Sequence, residues 1–270
     1  MVLKNFFKGL FAKRHVKLGL ALGSGGAKGA AHVGVLKAFE EEGIKFDIVA
    51  GTSIGSVIGA LLATGLNSED MARMMKEYGI ADPVRFLGYK FKGRTVEQAM
   101  DVLLSEKTFL DADIPFAAVA ADLDTGEQVV MKSGSLATAV AASSAIPPAF
   151  KPVVRMNRRL VDGAFVNAVP ADVVKKMGAD VVISVNLTSV ATNAVGKATL
   201  DVMYKGHGIK EQNRLLQMKE FSDYVLSPDL AGFKSVDVTK TDEMFDRGYA
   251  CAKQNMYEIK NLLTSKKVKF

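Results

Sequence analysis

The stretch that decides the fold is Ile48-Val49-Ala50-Gly51-Thr52-Ser53-Ile54-Gly55. It contains the pattern Gly-x-Ser-x-Gly, and an apolar run precedes that pattern as a short buried strand would. A second apolar run over residues 57–63 follows it as a buried helix would. A sharp turn from strand to helix holds the central serine in a strained backbone and exposes its hydroxyl at the edge of a sheet. This context predicts that Ser53 is a nucleophile; the alternative is a plain Gly-Ser turn between core elements.

Strands and helices alternate along the rest of the chain. Continuous apolar strands, such as the one over residues 180–187, are typical of parallel sheets that are covered on both faces. We therefore expect an α/β fold, a three-layer α/β/α sandwich with a mostly parallel central sheet. The expected organisation is a basic amphipathic segment over residues 1–15, one large domain over 16–265 and a basic tail over 266–270 that frays.

Composition limits the classes of protein to consider. The chain has 270 residues, of which 49% are hydrophobic, and this is enough for a substantial core. Its single cysteine, Cys251, excludes an intrachain disulfide framework and fits a reducing compartment. No apolar run reaches the length of a membrane-spanning helix, and no secretory signal is recognisable. These features predict a cytoplasmic protein.

Positive charge is concentrated at the N-terminus. The first 39 residues hold seven of the 35 Lys and Arg residues and none of the 29 Asp and Glu residues. The remainder is nearly neutral, and it shows no basic and aromatic pattern of the kind that nucleic-acid binding requires. We therefore predict no nucleic-acid partner.

Two segments combine aromatic and basic residues. In residues 1–14 the apolar side chains fall on one helical face, with lysines elsewhere, as in helices that lie in membrane interfaces. Residues 82–94 interleave aromatic and basic side chains, which suits an anionic lipid surface. The alternatives are that the first segment packs on the core or on another subunit, and that the second is a packed surface loop. The apolar face of the first segment consists of Leu3, Phe6, Phe7, Leu10 and Phe11.

A glycine-rich loop, Gly23-Ser24-Gly25-Gly26-Ala27-Lys28-Gly29, follows the first predicted strand and opens the first predicted helix. Closely spaced glycines let successive backbone N–H groups point at one anion, and the helix N-terminus reinforces the site. Such a loop can hold the oxyanion of an acyl-transfer reaction, with the N–H of Ile54 as a further donor. The rival interpretation is a dinucleotide-binding loop with Asp47 as its acidic residue, although the third glycine is displaced by one position.

A serine nucleophile also needs a proton acceptor. The chain has only His15, His32 and His207, and His32 lies within the first helix, where packing or capping is its expected role. His207 keeps the chain order of a Ser-acid-His triad, which stays open. Asp162 is the better candidate, because it leaves a short strand directly into a Gly-Ala turn at the edge of the sheet; the alternative is an ordinary Asp-Gly turn. No cluster at metal-ligand spacing is present, so we expect neither a metal nor another cofactor.

Three motifs in this order resemble the patatin-like phospholipases, of bacterial type. They are the glycine loop over residues 23–29, the serine turn over residues 51–55, and Asp162-Gly163-Ala164. The resemblance implies a patatin-like hydrolase domain over residues 16–265 with a Ser53–Asp162 dyad that needs no histidine. It also implies an oxyanion hole, supported by a loop, and hydrolysis of acyl esters in lipids. The implied oxyanion donors are Gly25, Gly26 and Ile54, and the supporting loop residues are Gly23, Lys28 and Gly29.

The function expected on these grounds is that of a serine lipid acyl hydrolase, of phospholipase A or lysophospholipase type, at a membrane surface. The expected partners are a phospholipid or other acyl ester and a membrane touched through residues 1–14 and 82–94, and the oligomeric state stays open. Two alternatives remain: an esterase or thioesterase for small substrates with the same dyad, and a non-catalytic nucleotide- or anion-binding protein that uses the glycine loop.

Removal of residues 1–14 should lower activity on anionic vesicles and spare activity on soluble short-chain esters, because the basic amphipathic segment adds only membrane affinity. Parallel assays on the two substrates measure this. Equal losses on both would contradict a docking role for the segment.

Overall fold

The computed structural model describes residues 14–78, 96–188 and 217–270. The strands are β1 (Leu18–Leu22), β2 (Ile48–Thr52), β3 (Phe116–Asp122), β4 (Gln128–Met131), β5 (Val153–Arg155), β6 (Arg158–Asp162), β7 (Val181–Val185) and β8 (Tyr224–Leu226). The helices are α1 (Ala30–Glu41), α2 (Ile54–Ala63), α3 (Ser68–Tyr78), α4 (Val96–Leu104), α5 (Leu136–Ser143), α6 (Ala171–Lys176) and α7 (Thr241–Ser265). Short 3-10 helices lie at Gly26–Gly29, Phe109–Asp111, Gly163–Phe165 and Val238–Lys240.

All of these strands form one sheet of eight strands, with the path β5-β6-β3-β2-β1-β7-β8 and with β4 paired to β3. The neighbours from β3 through β2, β1 and β7 to β8 are parallel, whereas β4, β5 and β6 add antiparallel pairs at one side. The prediction of a mostly parallel central sheet in an α/β fold is therefore confirmed.

Both faces of the sheet are buried, because successive side chains of a strand point to opposite faces. In β1, Leu18, Leu20 and Leu22 enter the larger core cluster, which also takes in apolar residues from α1, α2, α5 and α7. Ala21 enters a smaller cluster on the other face, together with residues of α6 and Met218. Helices thus cover both faces, which gives the three layers that the sequence predicts.

The C-terminal tail differs from expectation. Val268 is only 6% exposed and belongs to the larger core cluster, and Lys266 forms an ion pair with Asp223 at 3.0 Å. The prediction that the tail frays is therefore wrong, because an apolar side chain inside this basic run anchors it to the domain.

Several predictions fall outside the described residues. These are the amphipathic helix within residues 1–14, of which only Arg14 is described, the aromatic and basic loop over 82–94, and the triad candidate His207. Within the described ranges, no helix is both long enough and apolar enough to cross a membrane.

The register of β3 determines where two other strands end. Residues 118–119 pair with both β2 and β4, so these two strands lie on opposite edges of β3. Residues 120–121 pair with both β4 and β6, so β6 also lies opposite β4. Strands β2 and β6 therefore follow one another along the same edge. Thr52 at the end of β2 pairs with Val119, and Asp162 at the end of β6 pairs with the next residue of β3, Ala120. Ser53, which follows Thr52, therefore lies at the end of β6.

Helix α7 packs on α1 with its backbone in close contact. A Cβ atom at Gly34 would lie 2.0 Å from the carbonyl oxygen of Phe245, and one at Gly248 would lie 2.0 Å from that of Ala31. The two glycines therefore set the distance between the helices, and α1 carries the glycine loop at its N-terminal end.

The Gly34→Ala substitution should lower the free energy of unfolding by about 1–3 kcal/mol, because the added methyl group must push the α7 backbone away. Urea denaturation measures this. The Lys37→Ala variant on the exposed side of the same helix is the control and should change stability by less than about 0.5 kcal/mol. An equally small change in Gly34→Ala would show that the two helices can separate at little cost.

Candidate active site

Ser53 lies in the sharp strand-to-helix turn that the sequence predicts. It follows β2 directly, precedes α2, and has φ 55° and ψ −127°, a conformation that is strained for a residue with a side chain. The turn closes only because its glycines lack side chains. A Cβ atom at Gly51 would lie 2.2 Å from the carbonyl oxygen of Gly55, and one at Gly55 would lie 2.2 Å from that of Leu22.

Hydrogen bonds hold the backbone of Ser53 on both sides. Its N–H donates to the hydroxyl of Ser143 at 2.9 Å, and that hydroxyl donates to the carbonyl oxygen of Val119 at 2.5 Å. Its carbonyl oxygen accepts from the hydroxyl of Ser56 at 2.7 Å. Ser143 and Ser56 were not predicted as site residues. Their signal in the sequence is weak, because a small polar residue in an apolar helix is equally compatible with simple packing.

Asp162 lies fully buried at the end of β6, next to Ser53 on the shared edge of β3. Its Oδ1 accepts a hydrogen bond from the N–H of Ala164 at 2.8 Å. Its Oδ2 is buried and has no hydrogen-bond partner among the described residues. Ser53 is close enough to stabilise the carboxylate, yet no hydrogen bond of ordinary length and angle joins Ser53 to Oδ2. Contacts of this kind are often long in enzymes without substrate.

The environment of Asp162 changes its acidity. Burial raises the pKa of Asp162 to about 7, while the Ser53 side chain and the N–H of Ala164 act in the opposite direction. Burial dominates because removal from water disfavours the charged carboxylate. A carboxyl group with a pKa near neutrality can both take up and return a proton at physiological pH.

The glycine loop lies directly against the serine turn. A Cβ atom at Gly29 would lie only 2.2 Å from Cγ1 of Ile54. Among the described residues, no group accepts a hydrogen bond from the N–H of Gly25, Gly26 or Ile54. The next N–H, that of Ala27, donates to the carbonyl oxygen of Ser235 at 2.8 Å and so anchors the loop.

The ends of two helical segments meet at this place. The first is the 3-10 helix over Gly26–Gly29, which includes the half-buried Lys28 and leads into α1. The second is α2, and both segments begin beside Ser53. None of them has an acidic residue in its first turn. Their positive ends and free N–H groups therefore favour a negative charge beside Ser53.

His32 supports the glycine loop and is not placed to act as a base. It is fully buried, and its Nε2–H donates to the carbonyl oxygen of Gly23 at 2.7 Å, as a carbonyl requires. Burial lowers the pKa of His32 to about 4, so the ring is neutral at pH 7. The N–H of Gly23 donates to Val185 at 3.0 Å, which fixes the start of the loop from β7. The expectation that His32 packs or caps agrees with this arrangement.

Asn167 joins the two halves of the site. Its carbonyl oxygen accepts from the hydroxyl of Thr52 at 2.9 Å, and its N–H donates to the carbonyl oxygen of Gly163 at 2.8 Å. Its side-chain amide donates to the buried carboxylate of Asp172 at 2.6 Å. The residue before Ser53 and the residue after Asp162 are therefore tied to the same asparagine, a role that sequence reasoning missed.

The dinucleotide-binding alternative finds little support in this geometry. Asp47 precedes β2 and therefore lies at the amino ends of the parallel strands, whereas the glycine loop lies at their carboxyl ends. The Asp47 carboxylate is bonded to His15 and to the N–H of Leu18. It is therefore not placed to bind the ribose of a dinucleotide held by the loop. Within the described residues, no three His, Cys, Asp or Glu side chains come together as a metal site.

The protein-family comparison gives a match to the family described as "Patatin-like phospholipase" over residues 20–175. Among curated proteins, the mouse "Patatin-like phospholipase domain-containing protein 6" is 31% identical over 87% of this chain and 20% of its own length. The fruit-fly "Neuropathy target esterase sws" is 31% identical over 64% of this chain and 13% of its own length.

The chain thus spans about a fifth of the length of the curated relatives it matches first. The solved structure titled "Crystal structure of VipD from Legionella pneumophila" shares the fold, with a TM-score of 0.59 at 14% identity, over 93% of this chain and 67% of the other. The bacterial subtype stays a prediction, because the matched relatives named above are animal proteins. The residues matched by the family cover more than half of the sequence, including the serine turn and Asp162, and the chain belongs to the patatin-like phospholipase family.

Proposed function

We propose that the chain is a serine acyl hydrolase that cleaves fatty-acyl esters of lipids through a dyad of Ser53 and Asp162. The observation that carries this proposal is the buried Oδ2 of Asp162, which has no partner among the described residues although it lies beside Ser53. A buried carboxylate oxygen without a donor costs stability, and such groups are retained where chemistry uses them.

In the proposed reaction, Asp162 takes the proton of the Ser53 hydroxyl while Oγ attacks the acyl carbonyl carbon. The negative charge that develops on the carbonyl oxygen is held by the N–H groups of Gly25, Gly26 and Ile54. The tetrahedral intermediate collapses, Asp162 returns the proton to the departing alcohol oxygen, and an acyl-Ser53 ester remains. Water, deprotonated by Asp162, then attacks this ester to form a second tetrahedral intermediate. As that intermediate collapses, Asp162 returns the proton to Oγ, which releases the fatty acid and restores the Ser53 hydroxyl.

The proposed substrate is a phospholipid or lysophospholipid at a membrane surface, in a cytoplasmic setting. Support comes from family membership and from the basic and aromatic character of residues 1–14 and 82–94. The proposed membrane contact is peripheral. No cofactor takes part in the reaction, because the proton acceptor and the oxyanion donors are supplied by the chain.

A second candidate is an esterase for small substrates with the same dyad, and the esterase in the name of the fruit-fly relative favours it. Preference for short-chain esters and indifference to vesicles would distinguish it. A protein that only binds anions would use the same N–H groups and would hydrolyse nothing.

The parent chain should react covalently with a fluorescent fluorophosphonate. The Ser53→Ala variant should lose labelling, and Asp162→Asn should label at least about 10³-fold more slowly, because no carboxylate then accepts the serine proton. Gel fluorescence against time measures both rates.

The exposed residues Ser133 and Asp124 provide matched controls for this experiment. The Ser133→Ala and Asp124→Asn variants should label at the parental rate. Unchanged labelling of Ser53→Ala would assign the nucleophile elsewhere, whereas no labelling of a folded parent would favour anion binding without catalysis.

Activity should depend on pH through Asp162, whose pKa burial raises to about 7. Only the carboxylate accepts a proton, so kcat/KM should rise with pH through a midpoint near 7 and fall about tenfold per unit well below it. Hydrolysis of a short-chain ester without an ionisable group measures this. A midpoint near the ordinary aspartate pKa would contradict the proposed base.

The free energy of unfolding should also depend on pH through Asp162, and it should fall as pH rises, whereas activity should increase. Since the folded-state pKa of Asp162 is raised above its ordinary value of 3.8, its contribution favours folding at low pH. That contribution is lost as pH rises through the interval from 3.8 to about 7. The Asp162→Asn variant should not show this loss. The free energy of unfolding of the variant, relative to that of the parent, should therefore increase between pH 4 and pH 8. A difference between the two proteins that does not change with pH would contradict the raised pKa.

A further inference from the structure

Backbone hydrogen bonds anchor the glycine loop on both sides of its proposed oxyanion donors. The N–H groups of Gly23 and Ser24 donate to carbonyl oxygens of β7 and of the segment before α6, at 3.0 and 2.9 Å. The N–H of Ala27 donates to the carbonyl oxygen of Ser235 at 2.8 Å. The N–H groups of residues 25–26, between these anchors, have no acceptor among the described residues. The anchors thus leave these two groups to a ligand.

The second anchor comes from the connection between β8 and α7. A Cβ atom at Gly26 would lie 2.4 Å from the carbonyl oxygen of Ser235, and Gly26 has φ 57°, so glycine is required at this contact. The connection lies outside residues 20–175, which the family match covers, so family membership assigns it no role. Because the N–H of Ala27 belongs to the peptide group that follows Gly26, the Ser235 carbonyl fixes the chain directly after the second proposed donor.

A tight turn over residues 234–237 contains Ser235. Two hydrogen bonds close this turn. The N–H of Asp237 donates to the carbonyl oxygen of Lys234 at 3.1 Å, and the N–H of Lys234 donates to Oδ2 of Asp237 at 2.7 Å. The second bond has an ionised acceptor, and such bonds are stronger than those between neutral groups. Ser235 is therefore held between two residues that bond each other in both directions.

The rest of the connection is attached to the core of the domain. Leu230 is fully buried in the larger core cluster, and Phe233 packs against that cluster. The ammonium group of Lys240 lies 5.6 Å from the centre of the Phe233 ring. The N–H of Lys240 also donates to the carbonyl oxygen of Asp237 at 3.2 Å, where the chain enters α7. Both ends of the turn are thus fixed, so the turn can act as a support for the glycine loop.

We propose that Asp237 is a positioning residue for the oxyanion hole. Its carboxylate closes the turn and thereby holds the Ser235 carbonyl against the N–H of Ala27, so that the two donors before Ala27 stay directed at the substrate carbonyl oxygen. This inference rests on the proposed function, because the oxyanion forms only if Ser53 attacks an acyl group. Fixed donors stabilise the oxyanion best, and a displacement of about 1 Å can cost about 10²-fold in rate.

Two substitutions of Asp237 test the proposal. Asp237→Ala removes one of the two bonds that close the turn. Asp237→Pro removes both, since proline has no N–H, and the φ of −81° at this position suits it. Hydrolysis of a soluble short-chain ester should slow at least about fivefold in Asp237→Ala, as expected for one hydrogen bond, and further in Asp237→Pro. The values of kcat and kcat/KM should fall equally, because oxyanion donors act in the transition state.

Two further readouts separate positioning from a general loss of structure. The rate of fluorophosphonate labelling should fall with the rate of hydrolysis, while the fraction labelled at completion stays parental and shows that the variants are folded. Amide hydrogen exchange of the Ala27 N–H, followed by NMR, should accelerate at least about tenfold in both variants, because its hydrogen bond opens more often.

Two more variants are the controls. Asp237→Asn keeps an oxygen that accepts from the N–H of Lys234, so hydrolysis and Ala27 exchange should both return to the parental rates. Asp229→Ala removes another carboxylate that accepts from a backbone N–H of the same connection, at 3.1 Å. It should change both rates by less than about twofold, as exposed substitutions outside a site usually do.

Failure of this inference can be separated from failure of the proposed function. Parental hydrolysis by both Asp237→Ala and Asp237→Pro would overturn the positioning role while labelling of Ser53 persists, even if Ala27 exchanged faster. A loss of rate that Asp237→Asn does not restore, or an equal loss in Asp229→Ala, would also overturn it, because the bond to Lys234 would not be its cause. Absence of labelling in the parent would instead overturn the proposed function.

Discussion

The site depends on two strands that share one edge of β3. Strand β2 stops at Thr52, and β6 arrives from the opposite direction and stops at Asp162 in the next place along that edge. Main-chain hydrogen bonds fix both strands to β3. This strand pairing brings Ser53 and Asp162 together, and no direct bond between the two residues is required. The glycines at 51 and 55 then allow the chain to leave β2 in a turn tight enough for α2 to begin at Ile54.

Burial determines the acidity of Asp162 at this site. The sheet and α5 exclude water around Asp162, which raises its pKa to about 7, and the carboxylate receives one backbone N–H at Oδ1. Ser143 and Asn167 fix the backbone on either side of the pair, while His32 fixes the start of the glycine loop. The proposed oxyanion donors and the proposed proton acceptor are therefore held in place by the fold itself, which is the condition under which electrostatic stabilisation is most effective.

The sequence predicts the elements that carry strong local signals. The serine turn, the glycine loop, the parallel strands and Asp162 follow from glycine spacing and from apolar runs, and the structure places them together. Ser143, Asn167 and the role of His32 depend on contacts between distant parts of the chain, and a lone buried polar residue does not reveal its partner. The tail was predicted to fray because it is a basic chain terminus, whereas the burial of Val268 decides its position.

The most direct measurement is a crystal structure of the chain after reaction with an alkyl fluorophosphonate. We expect phosphorus bonded to Oγ of Ser53, the phosphoryl oxygen within hydrogen-bond distance of the N–H groups of Gly25, Gly26 and Ile54, and Oδ2 of Asp162 beside the Ser53 ester oxygen. An adduct on another residue, or a phosphoryl oxygen that points away from these three N–H groups, would contradict the site as described.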